Sequence, residues 1–210
     1  MLSGCVTAPP TYKTTTDAGA RVGAARRIAI AQPDVAVYET SAGGVVEKRD
    51  EWSAAARLAL ARAVAAQTGF EPPPSTLADS AALEELTDAQ ALVRTIVQNH
   101  LIYLFAPDPL SSAHRPLTYQ VGRIYRIADA YDADALLFIF ASDSRSTGGR
   151  KALEFLGFAM PSSTFASAVL VERDGTVLWF NYHFAEPIDL RESGGASTIA
   201  GRLLAGLPGR

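Results

Sequence analysis

Leu170-Val-Glu-Arg-Asp-Gly-Thr-Val-Leu-Trp179 decides the fold. Two apolar runs flank Arg173-Asp-Gly-Thr176, and the central Asp-Gly pair suits a tight reversal because both positions accept positive φ and match the twist of antiparallel strands. The reading is a β-hairpin turning at Asp174-Gly175, with Leu170 opposite Trp179 and Phe165 opposite Phe184. That register puts Phe165, Ser167, Val169 and Val171 with Leu178, Phe180, Tyr182 and Phe184 on the core side. The reverse face, with Leu170, Trp179 and His183, reads as mixed and only partly covered.

Upstream of the hairpin, Ala135-Leu-Leu-Phe-Ile-Phe-Ala141 is apolar on both sides of a pleat, which predicts a central strand covered on two faces. It follows a predicted helix over 117–131, with Val121, Ile124, Tyr125, Ala128 and Tyr131 on one stripe, and the polar step Asp132-Ala-Asp134. Nearer the start, 27–31 and 35–38 read as one strand split by Gln32-Pro-Asp34, since proline cannot donate to a ladder. Asp50 is the expected N-cap of a helix to Gln67, with Trp52, Ala56, Leu60 and Val64 inward and Gly69 as terminator. Thr87-Asp-Ala-Gln90 has capping-box spacing for a helix through Leu92, Ile96 and His100 that Pro107 and Pro109 end. The stretch 142–164 reads as irregular, and a closing helix over 196–207 follows Gly194-Gly195. Only the hairpin can be joined by a tight turn, while the other crossings carry helices. The fold class is therefore α/β: a single mixed β-sheet packed by helices, with a C-terminal hairpin and closing helix.

Length and composition agree with one domain. The chain has 210 residues, 48% of them hydrophobic and 20% charged, so it can bury a core without disulfides, and its single cysteine could form none within the chain. A net charge of −3 argues against a sequence-independent grip on nucleic acid. No apolar run approaches the roughly 18 residues of a spanning helix.

That lone cysteine ends Leu2-Ser-Gly-Cys5, which resembles the lipobox of bacterial lipoproteins: a thiolate accepts the diacylglyceryl group, and small residues before it admit the peptidase. A Thr/Pro-rich tract follows. The expected organisation is a signal remnant and lipobox over 1–5, a flexible tether over 6–26 and one α/β domain over 27–207. Only four residues precede Cys5, fewer than a secretory signal needs. Either the start lies upstream of Met1, or Cys5 is a lone thiol in a cytosolic protein. By the same resemblance, Val6 rather than Asp after the cysteine implies the outer membrane, with the body on its periplasmic face.

Three stretches carry a wider resemblance. The early strand with its Ala-rich helix, the run Ile127-Ala-Asp-Ala-Tyr-Asp-Ala-Asp-Ala-Leu-Leu137, and the hairpin resemble bacterial envelope lipoproteins related to the curli assembly and transport lipoprotein. Their domain is similar to the amino-terminal domain of the Tol translocation protein. The resemblance implies protein partners or a homo-oligomer in the envelope and a noncatalytic assembly or secretion role. Its motifs are structural. Pore formation is not carried over, because 142–164 lacks the alternation of a membrane-spanning hairpin.

No metal-binding, nucleophile-elbow, phosphate-loop or dinucleotide motif occurs, so no enzyme class and no cofactor is implied. Asp129, Asp132 and Asp134 read as solvated acids at a helix end. His100, His114 and His183 lie far apart in sequence. An enzyme would have to use Asp134 or His183 at a strand end. The alternative to a scaffold is a soluble ligand- or peptide-binding module, with Trp179, His183 and Leu170 as its candidate surface. Within Ser144-Arg-Ser-Thr-Gly-Gly-Arg-Lys151, Arg150 and Lys151 are candidate contacts for an anion or for lipid headgroups, with Leu153, Phe155, Leu156 and Phe158 toward the bilayer.

Overall fold

The computed structural model describes residues 12–104, 117–159, 161–185 and 187–209. In chain order its elements are β1 (Lys13–Thr14), α1 (Ala18–Ala24), β2 (Ile28–Ile30), β3 (Asp34–Thr40), β4 (Val46–Lys48), α2 (Asp50–Thr68) and α3 (Ser80–Leu104). There follow α4 (Tyr125–Ala130), β5 (Ala135–Ser146), α5 (Gly148–Phe155), β6 (Thr164–Glu172), β7 (Val177–Ala185) and α6 (Ser193–Leu203). Among the described residues the strands form one mixed sheet in the order β1-β7-β6-β5-β3-β4, with β2 also paired to β5. The α/β class is as the sequence predicts.

Proline splits the first strand as expected. Both halves run parallel to β5, Ile30 opposite Leu137 and Asp34 opposite Phe140, so the three residues 31–33 face two across the break. The central strand alternates between two cores. Leu137 and Ile139 join α2 and α6 with Leu60, Val64, Ile199 and Leu203, whereas Leu136 and Phe138 join α3 and the α4 region with Val93, Val97, Ile124 and Ile127. A sheet covered on both faces explains why β5 reads as a continuous apolar run.

The hairpin keeps its predicted register from Thr164 to Leu170 but closes differently. The N–H of Gly175 donates to Glu172 O at 2.8 Å and that of Glu172 to Thr176 O at 2.9 Å, so the loop has three residues, Arg173 to Gly175. Of these only Gly175 has positive φ, at 90°. The extra residue is absorbed by a bulge between Leu170 and Val171, where Val171 pairs with Val177. Leu178 and Trp179, adjacent in sequence, consequently enter the same core. This corrects Leu178, expected beside Phe180, and Trp179, expected on a half-covered face.

Other boundaries move for identifiable reasons. α2 begins as expected, but Arg49 stands at its N-cap position and Asp50 lies inside the first turn; Gly69 terminates it in the left-handed conformation. α3 begins two turns before Thr87, with the Asp79 carboxylate accepting the N–H of Ala81 at 2.9 Å. Its buried stripe is Ala82, Leu86, Ala89, Val93, Val97 and His100, leaving Leu92 exposed. The expected stop at Pro107 and Pro109 lies outside the described residues. Of the predicted 117–131 helix only α4 forms. The preceding stretch is instead pinned to the hairpin loop, Val121 N–H donating to Gly175 O and Val177 N–H to Tyr119 O, while Gly122 takes positive φ. α6 starts at Ser193 and includes Gly194-Gly195. The tether boundary also shifts, because β1 joins the sheet edge and α1 buries Ala18 and Val22, so the folded unit includes residues well before 27.

Candidate functional site

The distinctive end of the sheet is the one where β3 and β5 finish, β6 begins and β7 ends. On β5 the residues facing the α2/α6 layer are Ala135, Leu137, Ile139 and Ala141, and the next two on that side are Asp143 and Arg145. A fully buried carboxylate is costly unless it is paired and hydrogen-bonded. Asp143 accepts from Arg145 Nε at 2.8 Å and from the Thr164 hydroxyl at 2.9 Å. Burial nevertheless pushes its pKa up, against the pull of Arg145 and Thr164. Arg145 also stands 3.5 Å from Asp189, which binds Arg191 through both carboxylate oxygens at 2.9 and 2.6 Å. The Arg191 hydrogen bonds hold the Asp189 pKa down to about 2. The Arg191 guanidinium lies over the Trp52 ring, 4.3 Å from its centroid, and Arg49 lies 5.2 Å from the same centroid.

This chain of groups fixes the ground on which α5 stands. The Ser146 hydroxyl meets those of Ser162, at 2.7 Å, and the carboxylate of Glu154. Thr147 donates its N–H to Thr40 O at 3.0 Å and caps α5 through its side chain. Gly149 is packed so closely that a Cβ there would stand 3.2 Å from that of Ala42. Within the segment expected to be irregular, residues up to Ser146 continue β5 and Gly148–Phe155 form α5, whereas the described residues between α5 and β6 belong to no helix or strand.

What α5 displays is apolar. It contributes no buried residue of its own, and Phe155, Phe158 and Leu156 at its end are 91%, 78% and 61% exposed. Val45 and Val46 of the β3–β4 turn and Phe184 at the end of β7 are exposed at this same end. Arg150 approaches Glu154 to 3.8 Å, while Lys151 is exposed and has no carboxylate partner among the described residues.

Two other concavities carry polar groups. A cavity of about 230 Å³ between α3 and the sheet is edged by the Asp34–Arg94 ion pair, Tyr38, Gln98 and Phe165. A second, of about 400 Å³ at the opposite end of the sheet, gathers Asp129, Asp132 and Asp134 with Arg26, Arg27 and Arg173. Its charges are matched, Arg27 to Asp132 and Arg173 to Asp129. Asp134 accepts the backbone N–H groups of Arg26 at 2.8 Å and Arg27 at 3.2 Å, which lowers its pKa. It is a cap joining β2 to β5.

The residues singled out from sequence fall in different places. Trp179 and Leu170 are fully buried, so they present no ligand surface, because α2 and α6 cover the face expected to be half open. His183 is half-buried, with its Nε2 2.8 Å from Arg202 Nη1; burial and that guanidinium lower its pKa. Arg150 and Lys151 both lie on α5. Cys5 and His114 lie outside the described residues. His100 packs edge-on against Phe180 in the core, and burial brings its pKa down to about 4. Among the described residues no group of three or more His, Cys, Asp or Glu could hold a metal, and no helix is long and apolar enough to cross a membrane. Sequence reasoning missed Asp143 and Arg145, although their two-residue spacing in phase with the apolar positions of β5 was the available signal.

No protein-family model matches the chain, and no curated protein matches it. Among solved structures, a dodecamer of PelC from Paraburkholderia phytofirmans is similar over 96% of this chain and 100% of that one, at 12% identity and a TM-score of 0.42. A likeness this distant carries no argument about the present chain.

Proposed function

We propose that the protein is a lipoprotein anchored through Cys5 to the periplasmic face of the outer membrane, where its α/β body acts as a noncatalytic scaffold or assembly subunit in envelope biogenesis. One observation carries the reading. β1 pairs antiparallel with β7, Lys13 opposite Phe180 and Thr14 opposite Trp179, so the amino-terminal end of β1 points toward the Phe184 end of β7. That is the end where α5 displays Phe155 and Phe158. An anchor upstream of Tyr12 would therefore bring the apolar end, rather than the Asp129–Asp134 end, toward the lipid.

The lipobox resemblance supplies the attachment chemistry, because a thiolate at Cys5 is the group that accepts the diacylglyceryl unit. Several acyl chains on one residue give a lasting hold where a single chain binds only marginally. Metabolic labelling with a palmitate analogue in a bacterial host tests it. The full-length protein should be labelled and recovered with outer membranes, and Cys5→Ser should lose both properties; equal labelling of the two would overturn the reading.

A further inference from the structure

We infer that the end formed by α5 and the β3–β4 turn is a membrane-docking surface whose apolar side chains enter a phospholipid bilayer bearing anionic headgroups. The inference deepens the proposed function and rests on it for a bilayer to be within reach.

Geometry comes first. Phe155, Leu156 and Phe158 are exposed together at the end of α5, and Val45 and Val46 are exposed beside the turn against which Gly149 of α5 packs. Isolated exposed apolar residues need no explanation, whereas a convergent set on a projecting element marks a contact surface. α5 is eight residues long, roughly 12 Å, and its most exposed residues sit at its tip. A stable protein interface needs roughly 800 Å² per partner with a well-packed centre, whereas the exposed apolar residues of α5 are confined to the end of one eight-residue helix. A bilayer makes no such demand, since it closes around whatever projects into it.

Charge and chain length point the same way. Lys151 is exposed and has no carboxylate partner among the described residues, whereas the neighbouring Arg150 is turned to Glu154, so α5 places one uncompensated cation beside the apolar tip, the combination that favours an anionic interface. Six residues separate Cys5 from Tyr12, and the seven residue steps from one to the other span at most roughly 25 Å. An anchor at Cys5 would thus hold the domain close to the bilayer surface.

The body beneath the tip is built to bear the contact. α5 is capped by Thr147, tied through Ser146 to Ser162 and Glu154, and seated on the strand end that the Asp143–Arg145–Asp189 network fixes. The apolar side chains are thus carried on a helix tied to the end of the sheet.

The test uses the full chain carrying Cys5→Ser, so that no acyl group contributes. The protein should float with vesicles of phosphatidylethanolamine and phosphatidylglycerol, and more weakly with phosphatidylcholine vesicles. Adding Phe155→Ser and Phe158→Ser together should reduce partitioning at least about tenfold without lowering the thermal midpoint, because both rings are exposed. Lys151→Glu should weaken binding to the anionic vesicles alone. Leu58→Ser, an exposed apolar change on α2, should bind like the parent. Flotation unaffected by the double substitution, or absent from both vesicle types, would overturn the inference. So would self-association in sedimentation that the double substitution abolishes, since the tip would then belong to a second copy. Because this protein carries no acyl chain, failure here leaves the palmitate experiment to judge the anchor separately.

Discussion

Gly175 and Gly122 meet backbone to backbone: a Cβ on Gly175 would stand 1.8 Å from the carbonyl oxygen of Gly122. The hairpin loop is thereby locked onto the segment that leads into α4, with Val121 N–H donating to Gly175 O at 2.9 Å. Gly175→Ala combines a positive φ with this collision and should lower the unfolding free energy by at least about 2 kcal/mol. Gly69→Ala shares the positive φ but meets open space, so about 1 kcal/mol is expected. Gly148→Ala has neither problem and should be close to neutral. Urea midpoints of the three variants separate strain from contact; equal losses at 175 and 69 would mean that the collision is relieved elsewhere.

Asn181 ties the sheet to the end of α6. Its fully buried side-chain amide donates to the carbonyls of Leu203 at 2.8 Å, Arg202 at 3.1 Å and Ala205 at 3.3 Å, at the end of α6, where carbonyls run out of i+4 donors. Asn181→Ala should cost about 1–3 kcal/mol in equilibrium unfolding, and Asn181→Asp more, because a carboxylate would then face carbonyl oxygens.

Removing Arg145 leaves the Asp143 carboxylate buried with Thr164 alone. Arg145→Ala should cost about 3 kcal/mol at neutral pH. Burial raises the Asp143 pKa in the folded state, so this group opposes folding above that value and ceases to do so as pH falls through it. The Arg145→Ala deficit should therefore shrink on acidification. Unfolding curves for both proteins at neutral and mildly acidic pH check it; a deficit independent of pH would mean that lost packing, and not the stranded charge, is responsible.

His100 contributes with the opposite sign. Its pKa falls from 6.5 to about 4 on folding, so the unfolded chain binds its proton first as pH drops. The stability this group confers is present above pH 6.5 and is lost as pH falls through about 4. Between pH 7 and pH 5 the loss should be about 2 kcal/mol. His100→Gln cannot titrate and should lack that part of the pH dependence when unfolding free energies are compared.

What was legible in the sequence was what local pattern dictates. Ala135–Ala141 announced a two-faced strand, Pro33 its split neighbour, and Asp174-Gly175 a reversal with the correct partners from Thr164 to Leu170. Stripes of apolar residues misled where more than one phase was available. Thr87 and Gln90 offered capping-box spacing, yet Asp79 does the capping, and the buried face of α3 passes through Val93 rather than Leu92. Val121 and Ile124 had helical spacing but are buried from an irregular segment held by the hairpin loop, with Gly122 as the unheeded warning. The platform under α5 was hidden because Asp143 finds its partners at Thr164 and, through Arg145, at Asp189, far along the chain. The exposure of Phe155 and Phe158 was hidden too, since an apolar pattern does not say whether a face is covered.

Among the described residues β1 meets β7 at two positions, Thr15 N–H adds a bond to Leu178 O at 2.9 Å, and α1 stands between β1 and β2. Mechanical load applied at Tyr12 would therefore fall first on those rungs, on the Arg21 ion pairs to Glu172 and Asp174, and on the packing of Ala18 and Val22. Peeling them away would release the thirteen residues from Tyr12 to Ala24, about 45 Å of slack when drawn out, before tension reached β2 and β5. Were the chain held at an amino-terminal anchor, this margin would yield to a tug before the central sheet did.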